Sequence, residues 1–390
     1  MDSPANIFNL FFVFAIRVPE SVFLYFASHL SHKLHKIKFD KNNRSFFSNN
    51  AITDTVATIT KKAPPPSYSA PPTLNQRILS TFIRSAEDAL SLEGLKNLYS
   101  FGAWIDTISH GFNYTNKWYV KLDNSAGFEG YLVAEDAVNA RLGEDVDRLI
   151  LYTHGGGFIS GHSLVSISAF VYWIKTWKAN HNAKVQILSL EYPLSPENPY
   201  PAARDYLLNC YRWLINEQGI NPSNIVFGGD SAGANLSAVA SLQIVNYQKD
   251  EHKLPPPASL LLNSPLVNTD TRAESFANEE LDIISLDWMS KCAYAYARGT
   301  TMRHESPEIS PLFEPDISKM PRFFASVGEY EVFHDDIKAF ARKAEDQGVE
   351  VDLMYEPVNY HNFGVSFWLS NNGAYQRAAK RMGIFLFGKK

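Results

Sequence analysis

The residues best suited to chemistry form a five-residue turn, Gly229-Asp230-Ser231-Ala232-Gly233. A serine hydroxyl is a weak nucleophile unless it is exposed, aimed and served by a base. A sharp turn from strand to helix does the aiming, and a glycine two residues to either side leaves room for strand and helix to approach closely. Well upstream lies His154-Gly155-Gly156-Gly157-Phe158. Without side chains, such residues can turn their backbone N–H groups toward a developing negative charge. Gly155 and Gly156 are the candidate donors, and Ala232, at the positive end of the following helix, is a third. The chemistry this describes is attack of Ser231 on a carbonyl carbon, with the oxyanion held by backbone N–H groups.

Attack by serine requires a general base, and the base requires an acid to orient it, in the chain order serine, acid, histidine. His304 falls in an irregular stretch and His334 begins a helical pattern. His361, in Pro357-Val358-Asn359-Tyr360-His361-Asn362-Phe363, follows the last strand-like run and is the candidate base. Glu329, Glu331, Asp335 and Asp336 all lie in the right interval for the acid. Asp335 and Asp336 begin the next helical pattern, where carboxylates favour the N-terminus. Glu331, in the loop itself, is the better candidate to hold the imidazole tautomer and balance the imidazolium.

These residues need a scaffold, and the chain supplies a regular one. Strand signals at 118–122, 130–133, 149–153, 185–190, 224–227, 259–262, 323–327 and 349–355 are interleaved with helical patterns at 202–216, 232–245, 337–344 and 375–386. Short apolar strands followed by helices predict an α/β architecture with a mainly parallel central sheet and helices on both faces. The stretch 266–310 lacks this rhythm and, with 74–115, is the expected helical cap.

The N-terminal part differs in character. Residues 7–30 are strongly apolar and aromatic, broken by Arg17, Pro19 and Glu20, and are followed by Lys33, Lys36, Lys38, Lys41 and Arg44. Neither half reaches the length of uncharged residues that a spanning helix needs. The pattern instead suits a segment lying in a bilayer interface or a kinked anchor. Residues 1–60 are therefore expected to be a membrane-associating segment acting through residues 7–44. The endoplasmic reticulum is one candidate membrane, and a cytoplasmic location is the alternative. Asn43 and Asn113 sit in glycosylation sequons, whereas the basic flank argues for a cytosolic side. A proline-rich linker, residues 61–73, is expected to separate this segment from a hydrolytic domain at 74–390.

Composition agrees with a large apolar core and excludes other classes. Of 390 residues, 45% are hydrophobic and 20% charged, and the net charge of −5 gives no general attraction to nucleic acid. The two cysteines, Cys210 and Cys292, are too few for a disulfide framework, and Cys210 lies in the apolar pattern of a helix. No cofactor or metal is called for.

In combination, these motifs resemble the hormone-sensitive-lipase family of α/β-hydrolases, which includes bacterial carboxylesterases and arylacetamide deacetylases. His154–Phe158 is similar to the family's HGGG loop and Gly229–Gly233 to its GDSAG elbow. Tyr192, Leu194, Pro196, Glu197, Pro199, Pro201, Ala202 and Ala203 resemble its YRLAPE…PxPAA segment. On this resemblance the acid falls on Glu331, where many members carry Asp, and the base on His361. Pro193 and Asn362 depart from the usual Arg and Gly. The resemblance implies an α/β-hydrolase fold and a small-molecule ester as substrate. Amide hydrolysis, as in arylacetamide deacetylases, is the first alternative. A non-catalytic receptor on the same fold is the second, and the presence of His361 argues against it.

Overall fold

The computed structural model describes residues 90–109, 117–122, 127–247 and 253–388, together with scattered positions between 70 and 87. The expected membrane-associating segment, most of the linker and both sequons lie outside the described residues. Among the described residues, no helix is long and apolar enough to cross a membrane.

The elements run α1 (Leu92–Ser109), β1 (Tyr119–Lys121), β2 (Gly130–Val133), β3 (Arg148–Thr153), α2 (Ile167–His181), β4 (Val185–Leu190), α3 (Ala202–Asn216) and β5 (Ile225–Asp230). They continue with α4 (Ala232–Asn246), β6 (Ser259–Asn263), α5 (Leu286–Tyr296), β7 (Phe323–Gly328), α6 (His334–Asp346), β8 (Val351–Glu356) and α7 (Ala374–Phe387). The eight strands form one sheet in the order β1-β2-β4-β3-β5-β6-β7-β8. The β1–β2 and β2–β4 pairs are antiparallel, and the others are parallel.

Strands β4, β5, β6 and β7 are buried at every residue, as parallel strands covered on both faces must be. Their side chains alternate between two apolar layers. Leu149, Leu151, Phe227, Leu260 and Leu262 enter one layer with residues of α3, α4 and α6. Ile150, Tyr152, Val226, Leu261 and Phe324 enter the other with α2 and α7. In this second layer the buried Trp177 indole donates to Ala379 O at 2.7 Å, joining α2 to α7.

The structure adds elements that periodicity did not mark. Helix α2 is buried at Ile167, Ala169, Phe170, Val171, Trp173, Ile174 and Trp177, one broad face with Lys175 and Ala179 exposed on the other. The irregular stretch 266–310 contains α5, which starts where Ser285 Oγ accepts the Trp288 N–H at 3.1 Å. Strand β5 extends past Phe227 to Asp230. Its added residues include Gly228, where a Cβ would stand 2.8 Å from the Ile150 side chain.

Candidate active site

Parallel pairing brings the C-terminal strand ends together. Thr153 is opposite Gly229, Asp230 opposite Asn263, Asn263 opposite Ser326, and Gly328 opposite Glu356. The loops after β3, β5, β6, β7 and β8 therefore leave the same edge, where open α/β sheets place their sites. They carry His154–Phe158, Ser231, Ser264, Glu331 and His361 respectively.

Ser231 joins β5 to α4 with φ 52° and ψ −120°. Such backbone costs a non-glycine residue about 1–3 kcal/mol and persists only when its surroundings impose it. Here Ser231 N–H donates to Asn263 O at 2.9 Å, and Ser231 C=O accepts Asn235 and Leu266 N–H, both at 3.1 Å. The flanking glycines serve close approach. A Cβ on Gly229 would lie 2.5 Å from the Gly233 carbonyl carbon, and one on Gly233 would lie 2.0 Å from Thr153 O. Ser231 Oγ makes no hydrogen bond among the described residues.

The four candidate acids separate clearly. Glu329 accepts the Val358 N–H, Asp335 the Ser275 N–H, and Asp336 the Asn268 amide. Glu331 Oε2 faces His361 Nδ1 at 3.3 Å, with the carboxylate 0% and the imidazole 1% exposed. Glu331 Oε1 accepts two bonds of 2.7 Å, from Ser264 Oγ and Gly328 N–H. Burial pushes the Glu331 carboxyl up to about 8 against those two donors, and pushes the His361 imidazole below its ordinary range. His361 Nε2 is buried without a partner among the described residues. Its ring meets Phe333 edge-on at 5.1 Å.

The loop after β3 departs from expectation at one residue. Gly155 N–H is not open, because it donates to Asp230 Oδ1 at 3.1 Å. The N–H groups of Gly156, Gly157 and Ala232 have no acceptor among the described residues. Gly156 has φ 113° and Gly157 φ 63°, conformations that side chains rarely adopt. The open set is thus Gly156, Gly157 and Ala232 in place of Gly155, Gly156 and Ala232. Helix α5 backs this loop, with Tyr296 stacked on Phe158 at 3.8 Å and Cys292 Sγ against Gly157. Burial raises both cysteine thiols, Cys210 to about 12, which fits side chains that pack.

Several contributors carry no assignment from sequence. Asp230 accepts Tyr152 OH at 2.8 Å and Asn362 Nδ2 at 2.9 Å as well as Gly155 N–H, tying the end of β5 to β3 and to the loops after β3 and β8. Asn362 stands at φ 65°, which accounts for glycine at this position in the family that the chain resembles. Ser264 bonds Glu331 and accepts the Asn362 N–H at 3.0 Å. Asp282 accepts N–H groups from both Val332 and His361. Asp230 and Asn362 were visible in the motifs, whereas nothing around Asp282 distinguishes it in the sequence. Among the described residues, no three His, Cys, Asp or Glu side chains converge to hold a metal ion.

A family profile described as alpha/beta hydrolase fold matches residues 150–365, more than half of the chain. The chain therefore belongs to the α/β-hydrolase family. Within it, an esterase of Acinetobacter venetianus is 33% identical over 218 residues, covering 55% of this chain and 67% of the relative. An acetyl-hydrolase of Streptomyces hygroscopicus matches with the same identity, length and coverage. A solved hormone-sensitive lipase from a metagenome library is 25% identical with a TM-score of 0.64, over 80% of this chain and 97% of that one.

Proposed function

We propose that this chain is a serine carboxylic-ester hydrolase that cleaves a short-chain or acetyl ester of an apolar alcohol through an acyl-enzyme. The observation that carries the reading is the buried Glu331–His361 pair with its free Nε2, on the strand edge that also presents the strained Ser231 turn.

His361 takes the Ser231 proton as Oγ attacks the ester carbonyl carbon. The oxyanion is received by Gly156, Gly157 and Ala232 N–H groups, and removing one such donor typically costs about 2.7–4 kcal/mol. The imidazolium, held by Glu331, returns the proton to the leaving alcohol. A water activated by His361 then attacks the acyl carbon, releasing the acid and regenerating Ser231.

The names of the esterase and acetyl-hydrolase relatives support the ester as reacting group and a short acyl chain. Association with a membrane surface through residues 7–44 rests on the apolar and basic pattern of that segment.

The test is a panel of acyl esters of increasing chain length, with an acetanilide and a steryl acetate included. Wild type is expected to favour the shorter esters. Ser231→Ala is expected to lose roughly four or more orders of magnitude in kcat. Hydrolysis that survives in Ser231→Ala sinks the reading, and preference for the acetanilide moves it to amide hydrolysis.

A further inference from the structure

We propose that Asp282, a buried carboxylate in the stretch between β6 and α5, is a positioning residue that holds the acid loop and the histidine loop in register. The proposal rests on the assignment of Glu331 and His361 as acid and base.

Asp282 is 0% exposed. Its Oδ2 accepts the N–H of Val332, the residue after Glu331, at 2.9 Å. Its Oδ1 accepts the N–H of His361 at 3.1 Å and that of its neighbour Ile283 at 2.8 Å. One side chain thus spans the backbones of both members of the acid–base pair. Ser264 makes a second bridge across the same two loops, through the Glu331 carboxylate and the Asn362 N–H. Neither bridge hydrogen-bonds the imidazole nitrogens, so each acts by placing the groups that carry them. The Asp282 bridge comes from the irregular segment over the sheet edge, so placement of the base depends on that segment being seated.

The carboxylate is specifically required because both of its oxygens are acceptors. An amide offers one acceptor, and its NH2 would face one of the two N–H groups, leaving that buried donor unpaired. Asp282 also adds negative charge near the imidazole. The charged and titratable groups facing His361 are Asp282, Asp230 from the end of β5 and Glu331 from the loop after β7. Arg84 and Tyr360 face Asp282 in turn. Burial raises Asp282 to about 6, opposed by His361 and the bonded N–H groups. Its negative charge raises the His361 pKa against the lowering effect of burial.

The test compares wild type, Asp282→Asn and Asp282→Glu in thermal melts, in kcat and KM against pH on a short p-nitrophenyl ester, and in NMR titration of the His361 imidazole. Asp282→Asn is expected to lower kcat roughly 10–100-fold, the size of a small misplacement of a reacting group. KM should stay within about twofold, since Asp282 does not touch substrate. The acid limb and the NMR titration should both move to lower pH, and Asp282→Glu should move them back toward wild type. A folded Asp282→Asn with unchanged kcat and an unmoved histidine titration overturns the proposal. So does loss of a cooperative melt in both variants, which would make Asp282 a folding determinant. If wild type cleaves no ester, the hydrolase reading fails separately, and the histidine titration still decides whether Asp282 acts on His361.

Discussion

In the proposed mechanism His361 must be neutral to accept the Ser231 proton, and its surroundings favour that state. Burial disfavours the imidazolium, while Asp282 and Asp230 oppose this more weakly, leaving the pKa below 6.5. Since the base works deprotonated, the acid limb of kcat/KM is expected below pH 6.5, with activity retained in mildly acidic buffer. A pH–rate profile on a substrate that does not ionise in that range checks this, and a limb above pH 7 would contradict it. Asp230 works at the same scale by a different route. Its carboxylate takes Gly155 N–H and Asn362 Nδ2, so the loop bearing the candidate oxyanion donors and the loop bearing the candidate base share one anchor. The glycine that would otherwise suit the φ of 65° at residue 362 could not make that contact.

The elements contribute rigidity and close approach. Helix α4 starts immediately after Ser231, and Thr153 O lies where a Gly233 side chain would be, so β3, β5 and α4 meet at one point. On the opposite face, α2 and α7 pack through Trp177, which is fully buried and hydrogen-bonded to Ala379 O. Trp177→Ala is expected to destabilise the domain by about 3–5 kcal/mol, the usual cost of truncating a buried aromatic. The residue lies away from the strand-end loops, so KM of the remaining folded enzyme should be unchanged. Denaturant unfolding together with steady-state kinetics separates the two effects. A raised KM at full occupancy of the native state would show that α2 helps shape the site.

For the whole molecule, the sheet and its two apolar layers are built from residues well beyond the proline-rich stretch. Removal of residues 1–60 is therefore expected to leave a cooperative melt and hydrolysis of soluble short-chain esters. It should weaken co-sedimentation with anionic vesicles, because the apolar run and its basic flank would be gone. Full-length protein that fails to sediment with such vesicles would refute the membrane role of residues 7–44 without touching the catalytic proposal.

The sequence by itself determined the features that local chemistry controls. Buried parallel strands read as continuous apolar runs, and the Ser231 turn needs glycines where backbone meets backbone. His361 follows a strand that the pattern 349–355 announces, so the fold class was legible, and so were the positions of the candidate nucleophile and candidate base. Glu331 was favoured over Glu329, Asp335 and Asp336 because it lies in the loop and not at the helix start. Only tertiary structure decided the rest. Three successive glycines do not say which N–H faces the site. That depends on the positive φ of Gly156 and Gly157 and on an Asp230 carboxylate that claims Gly155. Helices α2 and α5 are absent from the sequence patterns although each buries one side, Ile167, Phe170, Ile174 and Trp177 in α2 and Trp288, Met289, Cys292, Ala293 and Tyr296 in α5. Asp282 was invisible for a more general reason. Its partners are 50 and 79 residues away in sequence, and a long-range hydrogen bond to backbone leaves no pattern in either segment.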